Sequence, residues 1–112
     1  MINVTVLVDS ENCYCGILMS GHAGHAIQHH EGQELVCSAV SALTLNMANS
    51  VEHFTDSTFE AEMEEESGTF HFRFLEKADA GATLLMNSLI FGLTDIEEEY
   101  GEPYIKIRYK EV

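Results

Sequence analysis

The sequence of 112 residues is poor in proline, with one residue, and its eight glycines are no more than an average share. This scarcity excludes collagen-like and low-complexity disordered chains, which are dominated by these residues. No apolar run approaches the roughly 20 residues that a membrane-spanning helix needs, so we expect no membrane partner. The first residues also lack the basic segment and the small-residue cleavage site of a signal peptide. We therefore expect a cytoplasmic protein.

Basic residues are absent from the first 72 positions, and the whole chain has 5 of them against 19 acidic residues. The formal net charge is −14. Such a surface repels the phosphate backbone of nucleic acids, so we expect no direct nucleic-acid ligand. It attracts a basic protein or peptide; the alternative is that the charge only keeps the protein in solution.

The three cysteines come in a chain without an export signal, so we expect free thiols rather than a disulfide framework. Cys13 and Cys15 are two residues apart in a predicted strand. Their side chains would point to the same side of that strand, which is a poor geometry for a bond between them. Cys37 stands in a different setting, near the start of a predicted helix, and is the candidate for chemistry.

The apolar residues follow the periods of strands and helices along the whole chain. Alternation of apolar and polar residues predicts five strands, which begin near Ile2, Cys13, Phe59, Phe70 and Ile105. Stripes of helical period predict one helix from Gln33 to about Val51 and a second that is capped by Asp79 and ended by Gly101. The predicted order of elements is ββαββαβ.

Strands that are apolar on one face are typical of a sheet whose one face is covered by helices. We therefore predict a single α+β domain over residues 1–112, built as two layers: a mixed sheet of about five strands and two helices. The alternative is three layers, with one helix on each face. If the sheet brings the glutamates of the third strand beside the basic residues of the last strand, they will pair across strands.

A candidate catalytic pair lies where the second strand leads into the first helix. His22 follows Gly21 at the strand end, and Cys37 comes 15 residues later in the opening turns of the helix. The thiolate is the reactive form of cysteine, and both a helix N-terminus and a neighbouring histidine favour it. Free N–H groups of the first helical turn can form an oxyanion hole. The alternative is a packing cysteine, because cysteine is among the most buried residue types.

Two segments around this pair form a longer motif. They read Ser-Gly-His-Ala-Gly over residues 20–24 and Gly-Gln-Glu-Leu-Val-Cys-Ser-Ala-Val-Ser over residues 32–41. In this order the segments resemble those of the Prp family of ribosomal-processing cysteine proteases. Residues 100–107 are similar to the helix-to-strand junction that closes the family's fold.

The resemblance implies a small bacterial α/β homodimer that removes the N-terminal extension of large-subunit ribosomal protein L27, cutting after aromatic residues in a hydrophobic peptide. The family's catalytic histidine corresponds to His22 and its nucleophile to Cys37. Its acidic residue three positions before the cysteine is usually aspartate and here is Glu34, which we expect to stabilise the helix N-terminus rather than to orient His22. Gly21 and Ser38 are further candidate members of the site.

The segment between His22 and Cys37 is rich in histidine. His25, His29 and His30 have a spacing that permits metal binding, but a loop without helical or strand support is a poor metal cage, so we expect no metal and no cofactor. A loop of this length inside a small domain is usually functional or disordered, and we predict a lid that orders on peptide binding. The competing function is a non-catalytic, acidic, dimeric module that binds a basic ribosomal protein.

Overall fold

A computed structural model describes residues 1–22 and 31–112 of the chain. In these ranges five strands and two helices follow one another in the predicted order ββαββαβ. Their bounds are β1 (Ile2–Val8), β2 (Tyr14–Ser20), α1 (Glu31–Phe54), β3 (Phe59–Glu64), β4 (Thr69–Phe74), α2 (Ala80–Tyr100) and β5 (Ile105–Glu111). Helix α1 begins two residues before Gln33 and extends three residues past Val51, so it is longer than the apolar stripe predicts.

The strands form one mixed sheet with the order β3-β4-β2-β1-β5. Three pairs of neighbours are antiparallel, and β5 alone is parallel to its neighbour β1. This follows from the connections: tight turns join β1 to β2 and β3 to β4, whereas α2 carries the chain back across the sheet to β5. Strand β2 is therefore the central strand of the sheet. Its C-terminal end pairs with β4 and contacts α1.

Both helices cover the same face of the sheet, which confirms two layers and excludes one helix on each face. The core between the layers is formed by the inward side chains of the strands and by one stripe of each helix. Its members that are essentially inaccessible to solvent include Val4, Val6, Ile17, Val36, Val51, Phe72, Met86 and Leu93. Among the described residues, no helix combines the length and the apolar character needed to cross a membrane.

Within residues 1–22 and 31–112 no helix covers the opposite face of the sheet, and this open face carries opposite charges at its two edges. The glutamates of β3 lie at one outer edge, and Lys106, Arg108 and Lys110 of β5 lie at the other, with three strands between them. The condition under which these groups would pair across strands is therefore not met. Glu60 instead lies opposite Arg73 of β4, because hydrogen-bonded neighbours are set by the strand order, which no local pattern reveals.

Asp79 caps α2 as predicted. Its carboxylate accepts the N–H of Ala82 at 2.8 Å, and this bond is the main cause that lowers the pKa of Asp79. The helix ends at Gly101, whose φ of 56° lies in the left-handed region that glycine adopts without strain. The cap and the stop confine α2 to the length that covers β1 and β5.

Candidate active site

His22 is placed by a sharp change of chain direction at the end of β2. Gly21 has a φ of 86°, and a Cβ on it would lie 2.4 Å from the carbonyl oxygen of Met1. No side chain fits there, so glycine allows the backbone to leave the sheet against the start of β1. The exposed imidazole of His22 then lies beside the β3–β4 hairpin, where its Nε2 is 2.9 Å from the carbonyl oxygen of Glu66.

Cys37 lies in the second turn of α1, on the border between the core and solvent. Its neighbour Val36 is fully buried and Val40, one turn further on, is buried too, whereas Cys37 itself is half-buried. Because α1 begins earlier than predicted, Cys37 is the seventh residue of the helix rather than the fifth. In a helix the Cα–Cβ bonds tilt toward the N-terminus, so Cys37 remains close to the first turn of α1.

One cleft of about 390 Å³ contains both groups. It lies between the end of β2, the outer side of α1 and the β3–β4 hairpin, and it is lined by His22, Cys37 and Ser38 among others. Its apolar lining includes Met19, Val40, Leu45, Met63 and Phe70. The charged residues among its described lining are Glu64 and Glu65, so the rim of the cleft is acidic.

The structure places some of the predicted site residues in the cleft and one of them outside it. Gly21, His22, Cys37 and Ser38 line this cleft, although 15 residues of chain separate the histidine from the cysteine. Glu34 is exposed and is not among the described residues that line the cleft. This position agrees with a role at the helix N-terminus, where a carboxylate interacts favourably with the helix dipole.

The hairpin contribution to the cleft could not be predicted from the motif. Met63 and Glu64 at the end of β3 and Gly68 in the turn are more than 25 residues away from Cys37 in sequence, and alternation describes them only as hairpin residues. Strand β4 is the neighbour of β2, and this pairing brings the turn beside His22. The one local feature that predicts this turn is the pair Ser67-Gly68. It predicts a tight turn but not which residues the turn contacts.

The other candidate groups lie elsewhere. His25, His29, His30 and the greater part of the predicted lid are outside the described residues. Within the described ranges Asp9, Glu11 and Cys13 form a compact group of possible metal ligands in the β1–β2 loop.

The group in the β1–β2 loop has a structural explanation. The carboxylate of Asp9 accepts the backbone N–H groups of Glu11 and Cys13 at 2.8 and 3.0 Å and so closes the loop. Next to this loop, burial, Asp9 and Cys13 together raise the pKa of the Cys15 thiol, with burial as the main cause. A raised pKa disfavours the thiolate, so Cys15 is poorly suited to act as a nucleophile.

A thiol on a helix and an imidazole in the same cleft are the two side chains that a cysteine hydrolase uses for acyl transfer. The family model for the cysteine protease Prp matches residues 1–106, and the chain belongs to this family of cysteine proteases. This membership sets aside the non-catalytic binding module.

Curated relatives are similar in sequence to this chain over nearly its whole length. The ribosomal processing cysteine protease Prp of Staphylococcus aureus is 30% identical over 110 residues, which are 98% of this chain and 100% of the relative. That of Bacillus subtilis is 31% identical over 104 residues, or 89% of this chain and 90% of the relative. The crystal structure of the S. aureus protease with a covalently linked product peptide superposes with a TM-score of 0.86 at 30% identity, covering 98% of this chain and 100% of that one.

Proposed function

We propose that the described cleft is the active site of an endopeptidase in which Cys37 is the nucleophile and His22 the general base and acid, with residues 1–112 as one catalytic domain. The observation that carries the proposal is that both groups line one cleft with an apolar floor. Cys13 and Cys15 lie away from this cleft, at the opposite end of β2. The covalently linked product peptide of the S. aureus relative supports a covalent intermediate at this site.

The reaction is acyl transfer in two steps. His22 takes the proton of the Cys37 thiol, the thiolate attacks the scissile carbonyl carbon, and the negative charge moves to the carbonyl oxygen. First-turn N–H groups of α1 donate hydrogen bonds to that oxyanion. The protonated His22 gives its proton to the leaving amine as the C–N bond breaks. Water, deprotonated by His22, then hydrolyses the thioester and restores the thiol.

The substrate is the precursor of ribosomal protein L27, whose hydrophobic N-terminal extension is removed during ribosome maturation. The apolar lining of the cleft supports a hydrophobic peptide with an aromatic residue before the cut, since burial of one such side chain contributes roughly 1.5–3 kcal/mol. The net charge of −14 and the acidic rim support a basic protein behind that peptide. The relatives' name, ribosomal processing protease, supports a ribosomal protein as substrate. Such processing and the three free cysteines support a cytoplasmic location.

Purified protein is expected to cut the extended L27 once, after an aromatic residue, and to leave mature L27 intact. The products are identified by mass spectrometry. Precursor in which that aromatic residue is replaced by aspartate serves as the matched control and is expected to be cut at least about 10²-fold more slowly, because a charge then enters an apolar cleft. Equal cleavage of both precursors, or no cleavage of either, contradicts the proposed substrate.

The open face of the sheet supports a homodimer. It is self-complementary when two copies face each other about a two-fold axis parallel to the strands, because the acidic edge β3 of one copy then lies over the basic edge β5 of the other. A two-fold axis perpendicular to the strands would place acidic edge on acidic edge. The centre of this face carries Thr5 and Leu18, which are half-buried in one copy and suited to a second sheet about 10 Å away.

Charge exchange between copies tests this dimer. Arg108→Glu with Lys110→Glu is expected to convert a dimeric protein into a monomer in analytical ultracentrifugation, because acidic edges then repel each other. Mixing with Glu60→Lys/Glu62→Lys should restore a mixed dimer. Mixing with Glu98→Lys/Glu99→Lys, an equal charge change at exposed positions of α2, should not. A monomeric wild-type protein, or restoration by both partners, would refute this interface.

A further inference from the structure

The base His22 is held by the hairpin turn, residues 65–68, which joins β3 to β4. A carbonyl oxygen can only accept, so the contact of 2.9 Å between His22 Nε2 and the Glu66 oxygen requires a hydrogen on Nε2. In the neutral ring the other nitrogen, Nδ1, is then unprotonated and able to accept the proton of a thiol. The turn therefore selects the tautomer in which Nδ1 is the ring nitrogen able to act as a base.

Backbone contacts hold the turn against the segment that carries the histidine. The N–H of Gly21 donates to the carbonyl of Ser67 at 3.0 Å, which continues the pairing of β2 with β4 beyond Met19 and Phe70. A Cβ on Gly68 would lie 2.1 Å from the carbonyl oxygen of Gly21, and Gly68 has a φ of 68°. Glycine at position 68 thus lets the backbone of the turn contact the backbone of Gly21. This contact fixes the position of the Glu66 carbonyl beside Nε2 of the imidazole.

We propose that the Glu66 backbone carbonyl is the positioning group for His22, in the place that a carboxylate takes in a catalytic triad, and that Gly68 is the residue that keeps it in reach. The inference rests on the proposed role of His22 as the base. A main-chain acceptor has a physical advantage here. It fixes the ring and its tautomer without adding another charge to a cleft whose rim already carries Glu64 and Glu65.

The first test reads the tautomer directly. Nitrogen NMR of histidine-labelled protein, without substrate and at a pH where the ring is neutral, is expected to show the His22 ring protonated on Nε2. The resonance is assigned by its loss in His22→Ala. A ring protonated on Nδ1, or an even mixture of both tautomers, would overturn the inference whatever the protease assay gives.

The second test moves the turn. Gly68→Ala adds a methyl group that collides with Gly21, so we expect mixed tautomers at His22 and a kcat lower by about 10²-fold, the cost of a misplacement of about 1 Å. KM should change by less than about twofold, because the apolar lining is retained. Gly101→Ala is the matched control: its φ of 56° is equally left-handed, but a Cβ there meets nothing nearer than 3.5 Å. It should lose stability and keep both the tautomer and kcat.

The outcomes distinguish a failure of the positioning role of the turn from a failure of the proposed function. A Gly68→Ala protein with the wild-type tautomer and kcat refutes the positioning role of the turn while leaving the catalytic pair intact. Loss of the Nε2 tautomer with unchanged kcat refutes the link between ring orientation and catalysis. If His22→Ala retains full activity, the proposed function fails, although the tautomer result for the turn still stands.

Discussion

Cys37→Ser is expected to abolish proteolysis, with kcat/KM lower by at least about 10³-fold. The hydroxyl of serine is far less acidic than a thiol, so His22 cannot produce an equivalent nucleophile from it. The exchange removes no carbon atom and leaves the half-buried position filled, so the thermal unfolding temperature should stay within a few degrees of the wild type. Rates are measured on the L27 precursor and, independently, on a short peptide that contains the cleavage site.

Cys15→Ser is the matched control for the nucleophile. It makes the same chemical change in a half-buried thiol, but at β2 rather than in the cleft, and should retain wild-type rates. His22→Ala should lose about 10²- to 10⁴-fold, the usual range for a general base. His53→Ala, an exposed histidine at the end of α1, should lose nothing. Comparable rates for Cys37→Ser and Cys15→Ser would contradict the assignment of the nucleophile.

Alkylation of the wild-type protein tests the reactivity of the Cys37 thiol without any substitution. Cys37 should react with iodoacetamide faster than Cys15, because burial and nearby negative groups raise the pKa of the Cys15 thiol and reduce its thiolate. Peptide mapping after short exposure measures the order of reaction. A Cys37 that reacts last would indicate a packing cysteine.

Phe72→Ala is expected to bring the domain close to unfolding. The ring is fully buried on β4, stacked on Phe59 at 4.6 Å and edge-on to Phe74 at 5.0 Å between ring centres. Truncation of a buried phenylalanine costs about 3–5 kcal/mol, and small domains have about 5–15 kcal/mol in total. Urea unfolding should therefore show a large fall in the midpoint.

Phe54→Ala provides the comparison for the same truncation on the surface. The Phe54 side chain is 75% exposed at the end of α1, so its loss should change the free energy of unfolding by about 0.5 kcal/mol or less. The slope of the urea transition should be the same for both variants if each unfolds in two states. A difference between them of less than about 1 kcal/mol would mean that the β4 face does not form the core described above.

Much of the fold was predictable because each element carries its own signal. The alternation of Ile2, Val4 and Val6 identified a strand with one buried face, and those three side chains are buried. Asp79 and Gly101 marked the two ends of α2 through chemistry that acts within one turn. The start of α1 was less predictable, because its first residues, Glu31 and Gly32, carry no apolar stripe.

The candidate site was predictable only in part. His22 and Cys37 belong to short motifs whose residue types reveal their chemistry, and Gly21 and Ser38 accompany them in the same segments. Glu66 and Gly68 carry no comparable signal. Glu66 contacts His22 through a backbone carbonyl that every residue has, so its identity as glutamate says nothing about this contact.

The sequence by itself determined the elements, the free thiols, the acidic surface and the candidate pair His22 and Cys37, because periodicity and side-chain chemistry are local properties. Only the tertiary structure decided which strands are neighbours. That order put the charged edges β3 and β5 apart instead of together, and it put β4 beside β2. The hairpin turn thereby meets Gly21 and His22, a contact between residues more than 40 positions apart. Such contacts depend on the packing of the whole sheet, which no single segment encodes.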